Sequence, residues 1–320
     1  MKGGTGTMGK ASKAKRDGTR REKMAAQRAR ERRADIRNRV LLASGSVVVV
    51  IAVVVALVLV KVNSKATTSG VSSNGPTGAA LASVVTDTTN VPASTLNAVG
   101  AGSGSVTSPP MSISGSPLTS GGKPEVLYMG AEYCPYCAAE RWAMVVALSR
   151  FGTFTGLATV HSAAVDGHGL AEVYPNTPTW TFAHATYTST YLTFVPVEEY
   201  TNIPDKSTGG YTNLETPASA ENALVGKWDA PPYVPSGDQG AIPFVDFGNK
   251  YMISGASYNP QVLQGKSWSQ IASALKDPSS PIAKAVDGTA NYLTAAICKL
   301  TGNQPATACT PVVQGLEGKI

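Results

Sequence analysis

The 320 residues suffice for one large domain or two small ones, and 27 Lys and Arg against 21 Asp and Glu give a formal net charge of +6. The surplus is confined to one end. Residues 1–39 hold fourteen bases and four acids, and the rest of the chain thirteen bases and seventeen acids. That distribution excludes a nucleic-acid-binding domain with a basic face, because the basic character belongs to the tail.

The tail segment TRREKMAAQRARERRADIRNRV is rich in Arg, Ala and Glu and compatible with a helix. Directly after it, residues 40–60 (VLLASGSVVVVIAVVVALVLV) contain no charge and no proline. A helix of that length covers about 31 Å, which matches a hydrocarbon core of about 30 Å. A buried core helix rarely stays apolar on every side, and a cleavable signal peptide has a shorter apolar stretch and a shorter basic region. The sequence therefore predicts an uncleaved signal anchor over 40–62. Positive charge before the span places a cytoplasmic tail at 1–39, in contact with anionic lipid head groups, and the C-terminal region outside. All four cysteines, Cys134, Cys137, Cys298 and Cys309, fall on that outer side, where disulfides persist.

Residues 63–80 form a Ser/Thr/Gly-rich stretch read as a flexible tether, with an extracytoplasmic domain over 81–320. NVPASTLNAVG predicts a short helix with Pro92 in its first turn and Gly100 past its end. SPLTSGGKPEVLYMG predicts a hairpin whose second strand, 125–129, leads into AEYCPYCAAERW. AAERWAMVVALSRFG reads as a helix, and 157–166 and 184–199 as strands. A helix is predicted near SAENALVGKWD, then two strands about the Gly248-Asn249 turn, the first starting at Pro243. Two further helices are predicted over PQVLQGKSWSQIASALKD and SSPIAKAVDGTANYLTAAICKLTG. This alternation predicts an α/β layer with parallel strands first and a closing antiparallel hairpin.

The CPYC stretch alone is compatible with a redox centre, half of a metal site or a structural crosslink. A cysteine between a strand end and the first turn of a helix meets unpaired backbone N–H groups and the positive end of the helix dipole, which stabilise a thiolate. Cys134 is thereby the expected nucleophile. Cys137, one turn inside the helix, is suited to resolve a mixed disulfide. Ile242-Pro243 opens a strand and is the candidate cis-proline opposite the pair; a trans proline starting an edge strand is the plain alternative.

These two segments, AEYCPYC before a helix and GAIPFVDFGNKYMISGA, resemble the two halves of the thioredoxin-like active site. The first resembles the thioredoxin A-E-W-C entry, and CPYC is the form seen in glutaredoxins. The resemblance covers about 124–275, interrupted by 167–240. It implies a thioredoxin-like fold with a long insertion and extra C-terminal helices, preceded by one transmembrane helix. It also implies Cys134 as attacking thiol, Cys137 as resolving thiol and Pro243 as the cis-proline. The whole layout is similar to membrane-anchored proteins of a domain-of-unknown-function family found in actinobacteria and archaea. One position departs from the resemblance: thioredoxin has a buried Asp six residues before its first cysteine, and this chain has Tyr128. Glu132 and Glu140 are candidates to assist proton transfer, although surface carboxylates beside a helix start are commonplace.

Cys298 and Cys309, in CKLTGNQPATAC, predict a structural disulfide, a closure that stabilises by about 3 kcal/mol in the chain-entropy model. A second redox pair and a shared four-cysteine zinc site are the alternatives, the latter loosely spaced. His161, His168 and His184 lack ligand spacing, which leaves copper binding with the CxxC thiols a remote alternative. The aromatics of PTWTFAHATYTSTYLTF suit either a peptide-binding groove or core packing.

The sequence thus predicts a membrane-anchored extracytoplasmic thiol-disulfide oxidoreductase. Its expected contacts are membrane lipid, cysteine-containing envelope or secreted proteins and a membrane redox partner, with no cofactor and no nucleic acid. A noncatalytic module with a permanent CxxC disulfide and a metal-delivery protein are the competing readings.

Overall fold

The computed structural model describes residues 75–320. The basic tail, the anchor over 40–62 and the tether up to residue 74 lie outside the described residues. Among the described residues, no helix is long and apolar enough to cross a membrane.

Seven α-helices and a mixed sheet make an α/β architecture among these residues. Helices α1 (Gly78–Thr89) and α2 (Ala93–Val99) come first, and then strands β1 (Met111–Ser112), β2 (Thr119–Ser120) and β3 (Lys123–Gly130). Helix α3 (Pro135–Leu148) follows directly. After it come β4 (Gly152–Thr155), β5 (Ala158–His161), β6 (Pro178–Thr181), β7 (Thr186–Ser189), β8 (Thr193–Glu198), β9 (Tyr200–Pro204) and β10 (Tyr211–Asn213). Helix α4 (Ser219–Trp228), strands β11 (Phe244–Phe247) and β12 (Tyr251–Ser254), and helices α5 (Trp268–Ala274), α6 (Pro281–Leu300) and α7 (Pro311–Gln314) complete the order.

Strand β3 is central because its side chains are apolar on both faces. Val126 and Tyr128 point into the larger core with α3 and α6; Leu127 and Met129 point into a smaller one with Trp228 of α4. β8 pairs with β3 in parallel, β11 pairs with it antiparallel, and β12 and then β1 continue outward. The β3–β8 register sets Gly130 opposite Glu198, which brings that carboxylate to the cysteine end of the sheet.

Helix α3 is held from several sides. Trp142 Nε1 donates to the Pro178 carbonyl at 2.8 Å, and Thr179 Oγ1 donates to the Ala138 carbonyl at 2.8 Å. Trp268 Nε1, from α5, donates to the Thr179 carbonyl at 2.7 Å. Arg150, just past α3, donates to Asn291, Thr294 and the Ala308 carbonyl, and so fastens α3 to α6 and to the loop behind it. Cys298 and Cys309 form a disulfide with a Cα–Cα distance of 5.7 Å.

Several sequence expectations change in the structure. Helix α1 begins at Gly78, three residues inside the stretch read as tether, and Val84 and Thr88 are buried within it. The strand expected over 157–166 spans only β5. The strand expected over 184–199 is two strands, because Ser189 Oγ accepts the N–H groups of Tyr191 and Leu192 and turns the chain. β7 then pairs with β4, while β8 enters the central sheet. The helix expected over 260–277 breaks at Gly265, whose φ is +68°, and Ser267 caps a new start by accepting the Gln270 N–H. Trp180 and Phe182 are buried and Phe194 packs edge-on against Phe182, which assigns that aromatic stretch to the core rather than to a groove.

Candidate functional site

Gly130 ends β3, residues 131–133 turn, and Cys134 caps α3 with φ −75° and ψ 122°. Pro135 follows at the first helical position, where the missing N–H has no partner to lose. The Cys134 sulfur therefore sits where a capping oxygen usually does and accepts the Cys137 N–H at 3.2 Å. Cys134 Sγ is also 3.7 Å from the Ile242 carbonyl, as a donor. The Ile242-Pro243 peptide bond is cis, as expected from the sequence, and the Pro243 carbonyl accepts the Gly255 N–H at 2.8 Å. The chain thus brings Cys134, Cys137 and the residues around Pro243 together from positions more than a hundred residues apart.

The two thiols are not equivalent. Cys134 keeps 4% exposure and Cys137 none, so only the first sulfur is within reach of a partner. Both are free thiols. Burial works against ionisation of Cys134. Hydrogen bonds from the Cys137 thiol, the Cys137 N–H and the Tyr136 N–H, with the charge of Arg141, outweigh it and bring the pKa below the ordinary thiol value. Burial pushes Cys137 well up, and its hydrogen bond to Cys134 and the charge of that sulfur push it further. Of the two thiols, Cys134 is the one that ionises more readily.

A buried cation supports this arrangement. Arg141 lies one helical turn beyond Cys137, is fully buried, and binds Glu198 through Nε at 2.8 Å and Nη2 at 2.6 Å. Nη2 also donates to the Ala131 carbonyl at 2.6 Å, while Nη1 has no hydrogen-bond partner. Burial disfavours the guanidinium charge, but Glu198 more than offsets this and Arg141 stays protonated. Glu198 is pulled two ways: burial raises its pKa, and Arg141 with the Phe182 N–H opposes the rise. Sequence reasoning missed both residues. The available signal was an Arg on the same helix face as Cys137, four residues on.

Tyr128 is fully buried behind the cysteines, with its hydroxyl unpartnered, and burial holds its pKa well above the ordinary value. Glu140 is fully buried too, which corrects its reading as a surface carboxylate. Nearly the whole of α3 is covered, so the helix has no solvent face for it. Its carboxylate accepts the Ser257 N–H at 2.9 Å and the Ser257 hydroxyl at 3.1 Å. Burial pushes its pKa up to about 7 against those bonds. Glu132 is half-buried on the turn, and its N–H donates to the Tyr200 carbonyl at 2.9 Å.

Two hollows flank the site. Ile242, Tyr136, Tyr174, Tyr233 and Tyr258 line a groove of about 780 Å³. Tyr133, Tyr200 and Tyr211 line a second hollow of about 590 Å³. Cys298 and Cys309 are joined to each other, so the four cysteines do not share a metal cluster. Among the described residues, no group of three or more His, Cys, Asp or Glu is placed to hold a metal ion. His161 Nδ1 is 2.9 Å from the Ser162 carbonyl.

No curated protein and no solved structure matches the chain. Residues 109–299, more than half of the chain and including both cysteines of the CPYC motif and Pro243, match the family described as a domain of unknown function (DUF929), and the chain belongs to that family.

Proposed function

We propose that this protein is a thiol-disulfide oxidoreductase of thioredoxin-like fold, anchored in the cell membrane by residues 40–62. Its N-terminus would face the cytoplasm, and it would act on cysteines of secreted or envelope proteins. The observation that carries the reading is the Cys134 sulfur itself. It caps a fourteen-residue helix, accepts the Cys137 N–H at 3.2 Å, and faces the carbonyl that precedes a cis proline. The sheet order supports the fold assignment, with β8 parallel and β11 antiparallel to the strand that leads into the motif.

The chemistry follows from the inequality of the two thiols. The Cys134 thiolate attacks one sulfur of a substrate disulfide, forms a mixed disulfide and releases the other substrate sulfur as thiolate. Cys137 then loses its proton and attacks the Cys134 sulfur. The Cys134–Cys137 disulfide forms, and the second substrate sulfur leaves and takes up a proton. Run in reverse, the same steps pass the disulfide to a substrate dithiol. Direction is set by the reduction potential of the pair against its partner. The helix N-terminus and Arg141 stabilise the reduced pair through its thiolate, which favours a more oxidising potential.

The test uses the full chain in uncharged detergent. Equilibration against glutathione buffers gives the potential of the Cys134/Cys137 pair, and a Cys137→Ala variant traps mixed disulfides. Trapped envelope proteins and a potential above about −300 mV are expected. A potential below that, with nothing trapped, makes the pair an inert crosslink. Stoichiometric zinc or copper bound by the two thiols makes the protein a metal carrier.

A further inference from the structure

Tyr133, the residue before Cys134, stacks on Tyr211 with ring centroids 4.0 Å apart and planes 9° from parallel. Tyr200 meets Tyr133 edge-on at 6.2 Å. The three rings come from the turn before α3, from β9 and from β10, and with Asp205, Thr208 and Gly210 they line the hollow of about 590 Å³. Tyr200 is 37% exposed and Tyr211 only 8%, so the hollow has a solvent-facing ring above a fixed floor. Tyr133 directly precedes Cys134, with Cα atoms about 3.8 Å apart, so one wall of the hollow lies one residue from that cysteine.

The charge around the rings has one sign. Tyr211 Oη bonds Glu172, and Asp166 also acts electrostatically on that ring. Glu172 and Glu199 act on Tyr133. Asp205 lines the hollow, its pKa held below the ordinary carboxylate range by the Ser207 hydroxyl and N–H, so it is charged at neutral pH. Residues 162–218 contain six acids and a single Lys or Arg, Lys206, which does not line the hollow. Ring faces carry negative potential, and carboxylates at the rim reinforce it.

We infer that the Tyr133/Tyr200/Tyr211 hollow is a specificity subsite that takes the Arg or Lys side chain of a substrate protein next to its reactive cysteine. The inference rests on the proposed exchange activity and names its substrate class: cysteines in basic sequence surroundings. The cation lies against the tyrosine faces, and Asp205 pairs with its charge at the rim. An acidic neighbour of the substrate cysteine meets the carboxylates of Asp166, Glu172, Glu199 and Asp205 instead and is rejected.

The test follows exchange between the full chain in uncharged detergent and short peptides carried as glutathione mixed disulfides. The peptides are identical except for Arg, Gln, Glu or Phe within three residues of the cysteine. Arg is expected to exceed Gln by about tenfold in kcat/KM at low salt, with Glu slower than Gln and the Arg advantage shrinking at 0.5 M salt. A Tyr200→Leu variant is expected to cut the Arg-to-Gln ratio to about threefold or less, and Asp205→Asn to lower it further in combination. Equal rates for all four peptides, or Phe ahead of Arg, overturn the subsite while leaving the exchange activity standing. No exchange with any peptide overturns the activity itself.

Discussion

Arg141 and Glu198 form a two-point ion pair, at 2.8 and 2.6 Å, wholly buried one helical turn from Cys137. Replacing one member leaves the other as an uncompensated buried charge, which typically costs about 3–5 kcal/mol. Arg141→Met is expected to lose that much in urea denaturation and to raise the Cys134 pKa, read from thiolate absorbance at 240 nm. An Arg141→Met/Glu198→Leu double variant recovers most of the stability and keeps the raised pKa. A double variant with wild-type Cys134 acidity would show that the cation does not act on the sulfur.

Glu140 gives a pH signature. Its folded pKa, about 7, lies above the ordinary 4.5. Its contribution to stability is therefore fully present below about pH 4.5 and is lost as the pH rises through about 7. The loss is about 3 kcal/mol at the upper end. Glu140→Gln keeps an acceptor for the Ser257 N–H and cannot ionise, so its stability should be flatter than wild type between pH 5 and 8. Asp287, pushed up to about 8 by burial with both oxygens unpartnered, bends the curve the same way in both proteins and drops out of the difference.

Gly130 has no room for a side chain. A Cβ there would lie 2.6 Å from Tyr128 Cζ and 3.1 Å from Cys137 Sγ, and nearer still to the Tyr128 hydroxyl. Gly130→Ala is expected to destabilise by about 1–3 kcal/mol through overpacking. It should also slow the resolving step, seen as longer-lived mixed disulfides in quenched samples. Adding Tyr128→Leu makes space and should restore part of the stability.

The Cys298–Cys309 bridge closes a loop with a sequence separation of 11. A Cys298→Ser/Cys309→Ser variant is expected to lose about 3 kcal/mol or less in urea denaturation while still exchanging disulfides through Cys134. Loss of exchange in a folded variant would make the second pair part of the redox path.

The strand, CxxC and helix were legible in the sequence because each signal is local: apolar residues, then a cysteine pair with Pro135, then an amphipathic run. Pro243 was legible only through its pattern with the cysteines. Arg141 was not, and Glu140 was singled out without its burial, since α3 is buried on almost every side and its polar residues face protein rather than water. The division of 184–199 hinged on a single side chain, Ser189, capturing two N–H groups. The tyrosine hollow gathers residues 133, 200 and 211, and nothing in their separate surroundings announces that β9 and β10 return to the motif.

Ser257 joins three parts of the molecule at one residue. Its N–H and hydroxyl hold Glu140 of the cysteine helix, its carbonyl accepts the N–H groups of Thr107 and Ser108, and two residues earlier Gly255 binds the Pro243 carbonyl. Gly255, Ala256 and Tyr258, on either side of it, form a wall of the larger groove. That wall is consequently tied through Ser257 to the helix that follows Cys134, by two hydrogen bonds to Glu140.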